Sequence, residues 1–298
     1  MIAIDLGSNT LRVLEYDCDN STQIAQYEKV VKTADGLAEH GCINDEAIQR
    51  VIVAVNEAKE QIDFSSLPIK AVTTEALRRA TNSKMALEQI KKETGIVFDV
   101  ILGEEEARLT LLAVKNRLAK LQYTADSFLL VDIGGGSTEL IFHYENEVIT
   151  KSFPIGIVTI AQTYETLEKI QNALSKEMLL MQMFCDEVYA TKGKVDTFVA
   201  TAGIPTTVAA MKIGQNYATY DAQKINGTSL KVEELDFYLK KLLALPFEER
   251  ELVVGIGRSD LIAAGILIYK QLYIMLEFDL CIVIDDGLRE GVALEGCL

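Results

Sequence analysis

Leu129-Leu130-Val131-Asp132-Ile133-Gly134-Gly135-Gly136-Ser137-Thr138-Glu139-Leu140 passes from an apolar run through a glycine-rich turn into a second apolar run. A shorter version, Met1-Ile2-Ala3-Ile4-Asp5-Leu6-Gly7-Ser8-Asn9-Thr10, precedes it. Each turn follows a strand-like segment that carries an Asp near its end. Turns of this kind aim successive backbone N–H groups into one concavity, which suits a phosphate. Three consecutive glycines at 134–136 let that phosphate approach without a Cβ in the way. The Asp adds a carboxylate where a hydrated Mg²⁺ would sit. The second turn is no Walker loop, because no Gly-Lys-Ser/Thr follows. A strand rather than a helix is expected next, so it is no dinucleotide fingerprint either.

Working outward, residues 2–6 and 11–16 read as strands, Asn20-Ser21 as a hairpin tip, and residues 24–31 as a third strand. The order repeats at 129–132 and 139–144, with the tip Glu145-Asn146 and a strand over 148–153. Matching turn position, hairpin spacing and polarity indicate an internal duplication of an α/β unit. Between the copies the spacing predicts a helix over 45–62 capped by Asn44, a strand over 69–73, and a helix over 83–94 closed by Gly95. A strand over 97–102 and a long amphipathic helix over 104–121 follow. The end of that helix, near 122–126, is the expected boundary. One domain would then span 1–123 plus a C-terminal helix at about 286–298, and the other 124–285. Beyond 153 the pattern predicts one or two helices over 163–191 and a strand over 197–202. A turn at Ala202-Gly203-Ile204-Pro205-Thr206 and a helix come next, then helices over 232–243, 245–254 and 259–273, and a strand over 280–284.

The 298 residues are 49% hydrophobic and 24% charged, enough for two domains with real cores. Against 29 Lys+Arg stand 44 Asp+Glu, a net charge of −15, which argues against broad binding to nucleic acid or an anionic membrane. With two histidines, His40 and His143, a zinc site or a His-based triad is not expected, and His143 sits in a strand run as a structural residue. The five cysteines, Cys18, Cys42, Cys185, Cys281 and Cys297, show no CxxC spacing and read as thiols in a reducing cytosol. No signal peptide is read at the start. The apolar stretch over 261–276 is interrupted by Gly265, Lys270 and Gln271 and is not expected to span a membrane.

Three further segments carry candidate chemistry. Seven residues after the Asp of each turn stand Arg12 in the first copy and Glu139 in the second. That pairing suits a phosphate-side group opposite a metal-side group, although Arg12 also reads as a solvated strand residue. Glu104-Glu105-Glu106 opens the long helix. Acidic residues there favour the helix dipole, and one of them can equally serve as a general base toward water. Arg78-Arg79, after a strand end, suits a planar phosphate clamp or a solvated pair.

Together these segments resemble the exopolyphosphatase/guanosine pentaphosphate phosphohydrolase (Ppx/GppA) family of the actin-like, Hsp70-like, sugar-kinase superfamily. The resemblance rests on Ile4-Asp5-Leu6-Gly7-Ser8-Asn9-Thr10, on Thr74…Ala76-Leu77-Arg78…Ala80…Asn82, on Gly103…Glu105-Glu106-Ala107-Arg108 and on Asp132 to Leu140. Arg258…Asp260…Gly265 and Gly287-Leu288-Arg289-Glu290-Gly291 agree with it. It implies two ribonuclease-H-like (actin-like ATPase) domains with an active-site cleft between them. It also implies Mg²⁺-dependent release of terminal phosphate from polyphosphate, guanosine pentaphosphate or both. By the same resemblance Glu106 is the catalytic base and Arg78 clamps phosphate. Asp132 and Glu139 surround the metal and the attacking water, with Asp5 as a further metal-side carboxylate. Gly7, Ser8, Asn9 and Arg12, together with Gly134, Gly135, Gly136, Ser137 and Thr138, form the phosphate-binding set. The family's Gly-Thr after the third strand of the second half is Gly203-Ile204-Pro205 here, with Thr206 and Thr207 as substitutes for the lost hydroxyl. Longer members continue into helical domains that grip long polyphosphate, which shifts weight toward a short substrate or guanosine pentaphosphate. The rival readings are an ATP-using kinase or ATPase of the same superfamily and a sensor that binds guanosine tetra- or pentaphosphate without turnover. A cytoplasmic protein is expected, with no nucleic-acid or membrane partner and with homodimer formation left open.

Overall fold

The computed structural model describes residues 1–298, whose contacts divide into two compact units: Met1–Ala113 with Gly287–Leu298, and Val114–Asp286. In the first, β1 (Ile2–Leu6), β2 (Thr10–Asp17) and β3 (Thr22–Val30) form an antiparallel meander. The chain continues through α1 (Leu37–His40), α2 (Asp45–Gln61), β4 (Ile69–Thr73), α3 (Glu75–Arg79), α4 (Ser83–Thr94) and β5 (Phe98–Val100). β1, β4 and β5 are parallel, so the sheet order is β3-β2-β1-β4-β5. The central β1 is buried at every residue, its Asp5 included. α2 begins where the Asn44 side chain accepts the Ala47 amide at 2.7 Å, and it buries Ile48, Val51, Ile52 and Val55.

α5 (Gly103–Lys120) runs through the division between the units. It leads to β6 (Phe128–Ile133), β7 (Thr138–Tyr144) and β8 (Glu147–Phe153), again an antiparallel meander. Helices α6 (Ile157–Tyr164), α7 (Leu167–Glu177) and α8 (Leu179–Lys192) precede β9 (Thr197–Thr201). The chain then makes α9 (Gly203–Lys212), α10 (Ala222–Ile225), β10 (Thr228–Lys231), α11 (Val232–Leu243), α12 (Phe247–Val254), α13 (Ser259–Leu276) and β11 (Leu280–Val283). The sheet order is β10-β11-β9-β6-β7-β8. Read from its far edge, β8-β7-β6-β9-β11 repeats β3-β2-β1-β4-β5, with β10 added outside β11. The duplication expected from the paired turns is thus also a duplication of sheet topology. α14 (Leu288–Gly296) returns the chain to the first unit.

Several expectations need correction. The stretch 163–191 holds parts of three helices. α6 starts earlier, at a Gly156 whose amide and carbonyl both bond the Thr159 hydroxyl, and a left-handed Glu165 (φ 60°) ends it. α9 begins at Gly203, because Ala202 itself makes the sharp turn at φ 72°. β10 is an additional strand, paired with β11. α13 is long and apolar enough to cross a membrane by length and composition, yet 67% of it is buried inside the protein. There Tyr269 and Tyr273 pack on Phe198 with ring centroids 6.1 and 5.0 Å away.

The division between units falls at Ala113/Val114 rather than near 123, because α5 spends its two ends differently. Its first half packs Leu109 against Gly291 of α14, where a Cβ would overlap the Leu109 backbone, and bonds Arg108 to Glu295. In its second half Lys115 meets His143 at 2.9 Å and Arg117 pairs with Asp286 at 3.0 Å.

The cysteines are not all thiols: Cys18 and Cys297 form a disulfide across a sequence separation of 279 residues. It fastens the end of α14 to the turn after β2, beside a cluster of Ala3, Leu14, Tyr16, Leu288 and Val292. The spacing rule failed because the pairing is made in space, between distant parts of the chain. Cys185 and Cys281 stay free in the core, where burial pushes the Cys185 thiol up to about 12 and Cys281 higher still. Alkylation followed by mass measurement should therefore label Cys42 readily in the native protein, add Cys185 and Cys281 on denaturation, and reach all five only after reduction. In the chain-entropy account a bridge over so long a loop contributes about 5–6 kcal/mol. Reduction should accordingly lower Tm by roughly 10 °C.

Candidate active site

In the second unit, the turn between β6 and β7 is closed by Gly134 N–H donating to the Ser137 carbonyl at 2.9 Å. Its carbonyls point into the start of α6. Ile157 N–H donates to Gly134 O at 3.1 Å, and Val158 N–H donates to Gly135 O at 2.8 Å. With the carbonyls so employed, the amides of Gly135, Gly136 and Ser137 take no backbone partner. Gly156 holds the arrangement from behind, because a Cβ at 156 would overlap the Gly135 carbonyl and the Gly136 nitrogen. Sequence reasoning missed Gly156; its one signal is a glycine just before an apolar helical run. Thr138 is fully buried, and its hydroxyl donates to the Ile155 carbonyl at 2.6 Å. It therefore braces the turn instead of offering a donor to a ligand, contrary to its expected place among the phosphate contacts.

Asp132 and Glu139 lie directly opposite each other across β6 and β7, both buried. Ser152, opposite Glu139 on β8, donates to Glu139 Oε1 at 2.7 Å. No group of three or more His, Cys, Asp or Glu side chains is placed to hold a metal ion together. Two carboxylates suit Mg²⁺, which keeps several waters and completes its shell with phosphate oxygens. They are a poor set for zinc, which takes a closed cage of nitrogen and sulfur ligands.

The first unit builds the related turn differently. Gly7 N–H donates to Thr10 O at 3.0 Å, and the carbonyls of Ser8 and Asn9 accept from Ala34, Val31 and Lys32. The Ser8 and Asn9 amides have no backbone partner. Opposite Asp5, where the second unit has Glu139, stands Arg12. Its Nη1 lies 3.8 Å from Asp5 and its Nε donates to Glu28 at 3.1 Å, so its charge is shared between two carboxylates.

Among the three acidic residues opening α5, Glu104 is exposed and Glu105 is bound by Arg108 at 2.7 Å. The Arg108 hydrogen bond holds the Glu105 carboxyl below its usual range. Glu106 alone is buried, and it faces Arg78 with Oε2 3.3 Å from Nη1. Arg79 is exposed and Arg78 half-buried, so the two arginines divide into a sheltered and a solvated one. Arg78 also takes Glu75, 2.7 Å from Nη2, and the Ile101 carbonyl, 2.6 Å from Nη1. Burial alone would pull its pKa down; the Glu75 hydrogen bond and the Glu106 charge reverse this and raise it. Glu75 was not among the expected site residues. Its signal was its position three residues before Arg78 in a helical segment.

The hydroxyls expected to stand in at the Gly203-Ile204-Pro205 departure do not do so. Thr206 donates to Ala202 O at 2.9 Å and Thr207 to Gly203 O at 2.6 Å, both back onto their own helix. Ile204 is fully buried against Gly265, where a Cβ would overlap its tip.

Residues 15–298 match the Ppx/GppA phosphatase family. The chain belongs to that family. Among Ppx/GppA proteins, it is 26% identical to exopolyphosphatase 1 of Mycobacterium tuberculosis over 300 residues, 98% of this chain and 86% of that one. It is 29% identical to the guanosine-5'-triphosphate,3'-diphosphate pyrophosphatase of Vibrio vulnificus over 306 residues, 98% of this chain and 58% of that longer one. The crystal structure of the Aquifex aeolicus Ppx/GppA family member superposes with a TM-score of 0.74 at 32% identity, covering 99% and 96% of the two chains. The two-sheet α/β architecture is therefore that of the Ppx/GppA proteins, and the chain is an enzyme of a hydrolase family.

The turn geometry can be tested apart from substrate. Gly156→Ala should cost roughly 1–3 kcal/mol, as overpacking does, because the Gly135–Gly136 peptide must move. The expected result is a lowered Tm together with a loss of turnover larger than the stability change explains.

Proposed function

We propose that the protein releases the terminal phosphate of a linear polyphosphate or of guanosine pentaphosphate by in-line attack of water, with Glu106 as general base. The observation that carries this reading is that Glu106, alone of three adjacent carboxylates, is buried against the guanidinium of Arg78. A carboxylate and an arginine so placed can serve the two requirements of phosphoryl transfer, a proton acceptor for water and a fixed cation for the phosphoryl oxygens. The names of the mycobacterial and Vibrio relatives support the two substrate classes.

In the proposed reaction the water oxygen bonds to the terminal phosphorus and its proton passes to Glu106. The anhydride P–O bond breaks, and the remaining chain departs with the bonding electrons on its oxygen. Arg78 binds a non-bridging oxygen of the transferred group. The amides of Gly135, Gly136 and Ser137 donate to phosphate oxygens, with the Ser8 and Asn9 amides as a second set. Asp132 and Glu139 would hold Mg²⁺, which when bound neutralises charge building on the phosphate oxygens. Asp5, whose charge is shared with Arg12, is left to orient that guanidinium.

Phosphate release measured on long polyphosphate, short polyphosphate, guanosine pentaphosphate and ATP, with Mg²⁺ and with chelator, tests the reading. Turnover of one of the first three well above ATP is expected, abolished by chelation. Preferred turnover of ATP would instead indicate a kinase or ATPase, and tight alarmone binding without release a sensor. Glu106→Gln should lose about 10²–10⁴ in rate while keeping its fold. Activity within a few-fold of the native protein would move the base elsewhere.

A further inference from the structure

Arg78 carries five N–H donors in a rigid fork, and the surrounding groups account for all five. Nε and Nη2 donate to Glu75 Oε2 at 3.1 and 2.7 Å, and Nη1 donates to Ile101 O at 2.6 Å. The other two, from Nη1 and Nη2, reach Glu106 Oε2 at 3.3 and 3.4 Å. Well-made guanidinium–carboxylate bonds run at about 2.7–2.9 Å, so the contacts to Glu106 are stretched while the shortest bonds to Glu75 and Ile101 are not. Glu75 is nearly as sheltered as Glu106, with side-chain exposures of 13% and 11%. Its other oxygen lies 3.8 Å from Arg79 Nε.

We propose that Glu75 is a positioning residue that reserves one edge of Arg78 for exchange between Glu106 and the substrate. This rests on the reading of Glu106 as base and Arg78 as phosphate clamp. Glu75 and the Ile101 carbonyl fix three donors. A phosphate oxygen reaching Arg78 therefore has the Nη1/Nη2 edge open to it, the edge that Glu106 holds by its long contacts. Binding of the terminal phosphate exchanges Glu106 Oε2 for a phosphate oxygen on that edge. The carboxylate is thereby released from the guanidinium when there is a phosphate to attack. Without Glu75 the guanidinium loses two of its five hydrogen bonds, and the carboxylate left beside it is Glu106. The pair then closes into a short two-point ion pair, which masks the base and must be broken by each incoming substrate.

The test is a double-mutant cycle read as kcat/KM for phosphate release, with Tm measured on every variant. Glu75→Ala should lower kcat/KM about tenfold or more in the otherwise native protein, and less than about twofold in Glu106→Gln, where no charged carboxylate remains for Arg78 to close upon. Glu75→Gln keeps an acceptor without its charge and should fall between; it carries the comparison if Glu75→Ala does not fold. Losses of equal size in both backgrounds overturn the proposal, since Glu75 would then act independently of the base. Unchanged kcat/KM in Glu75→Ala overturns it as well. Near-native activity of Glu106→Gln alone is a separate result, and it removes the base assignment together with everything resting on it.

Discussion

Backbone satisfaction in a four-residue turn sets the terms for the second unit's site. A peptide group has one donor and one acceptor on opposite sides, and a buried acceptor needs a partner. The carbonyls of Gly134 and Gly135 find theirs in the first amides of α6. The amides of the following residues must then face away from α6 and are left without backbone partners. Everything near the turn serves this choice: Gly156 admits the close approach, Thr138 ties the returning strand to Ile155, and the pairing of β6 with β7 sets Asp132 opposite Glu139. A row of amides without backbone partners results from where the carbonyls go, with no basic side chain in the turn itself.

The first unit uses the same hairpin for a different electrostatic purpose. Where the second unit pairs two carboxylates, the first pairs Asp5 with Arg12, and Glu28 on β3 takes the guanidinium's other edge. One topology thus offers hard oxygen ligands in one copy and a neutralised ion-pair row in the other. The same economy of charge governs Arg78, whose five donors meet two carboxylates and a carbonyl. In a chain with a net charge of −15, Arg12 and Arg78 each face two carboxylates, and in the proposed reaction a phosphate exchanges with one of them.

Much of this was legible from residue order. The strand–turn–strand repeat could be read because alternating burial and glycine punctuation are local, and counting from Asp5 and Asp132 identified Arg12 and Glu139 as equivalent before β-pairing placed them opposite their aspartates. Glu106 could be narrowed to one of three, and burial on the first turn of α5 separated them. What escaped depended on contacts across space. The start of α6 is set by Gly156 meeting the Gly135–Gly136 peptide, and the Cys18–Cys297 bridge joins residues that no spacing rule connects. Glu75 looks like an ordinary first-turn acid until Arg78 is seen folding back on it. The hydroxyls of Thr206 and Thr207 were misjudged because a threonine early in a helix can bond its own backbone as readily as a ligand.

The first unit is made of two pieces of chain, Met1–Ala113 and Gly287–Leu298, with the whole second unit between them. Its central strand cannot be covered by Leu288, Val292 and Ala293 until those residues have left the ribosome, whereas the second unit is complete in sequence before they appear. Until residues 288–293 are made, Ala3, Leu14 and Val72 of the first unit lack part of their apolar cover. α14 closes the unit that holds β1, and the Cys18–Cys297 bridge fastens that closure covalently.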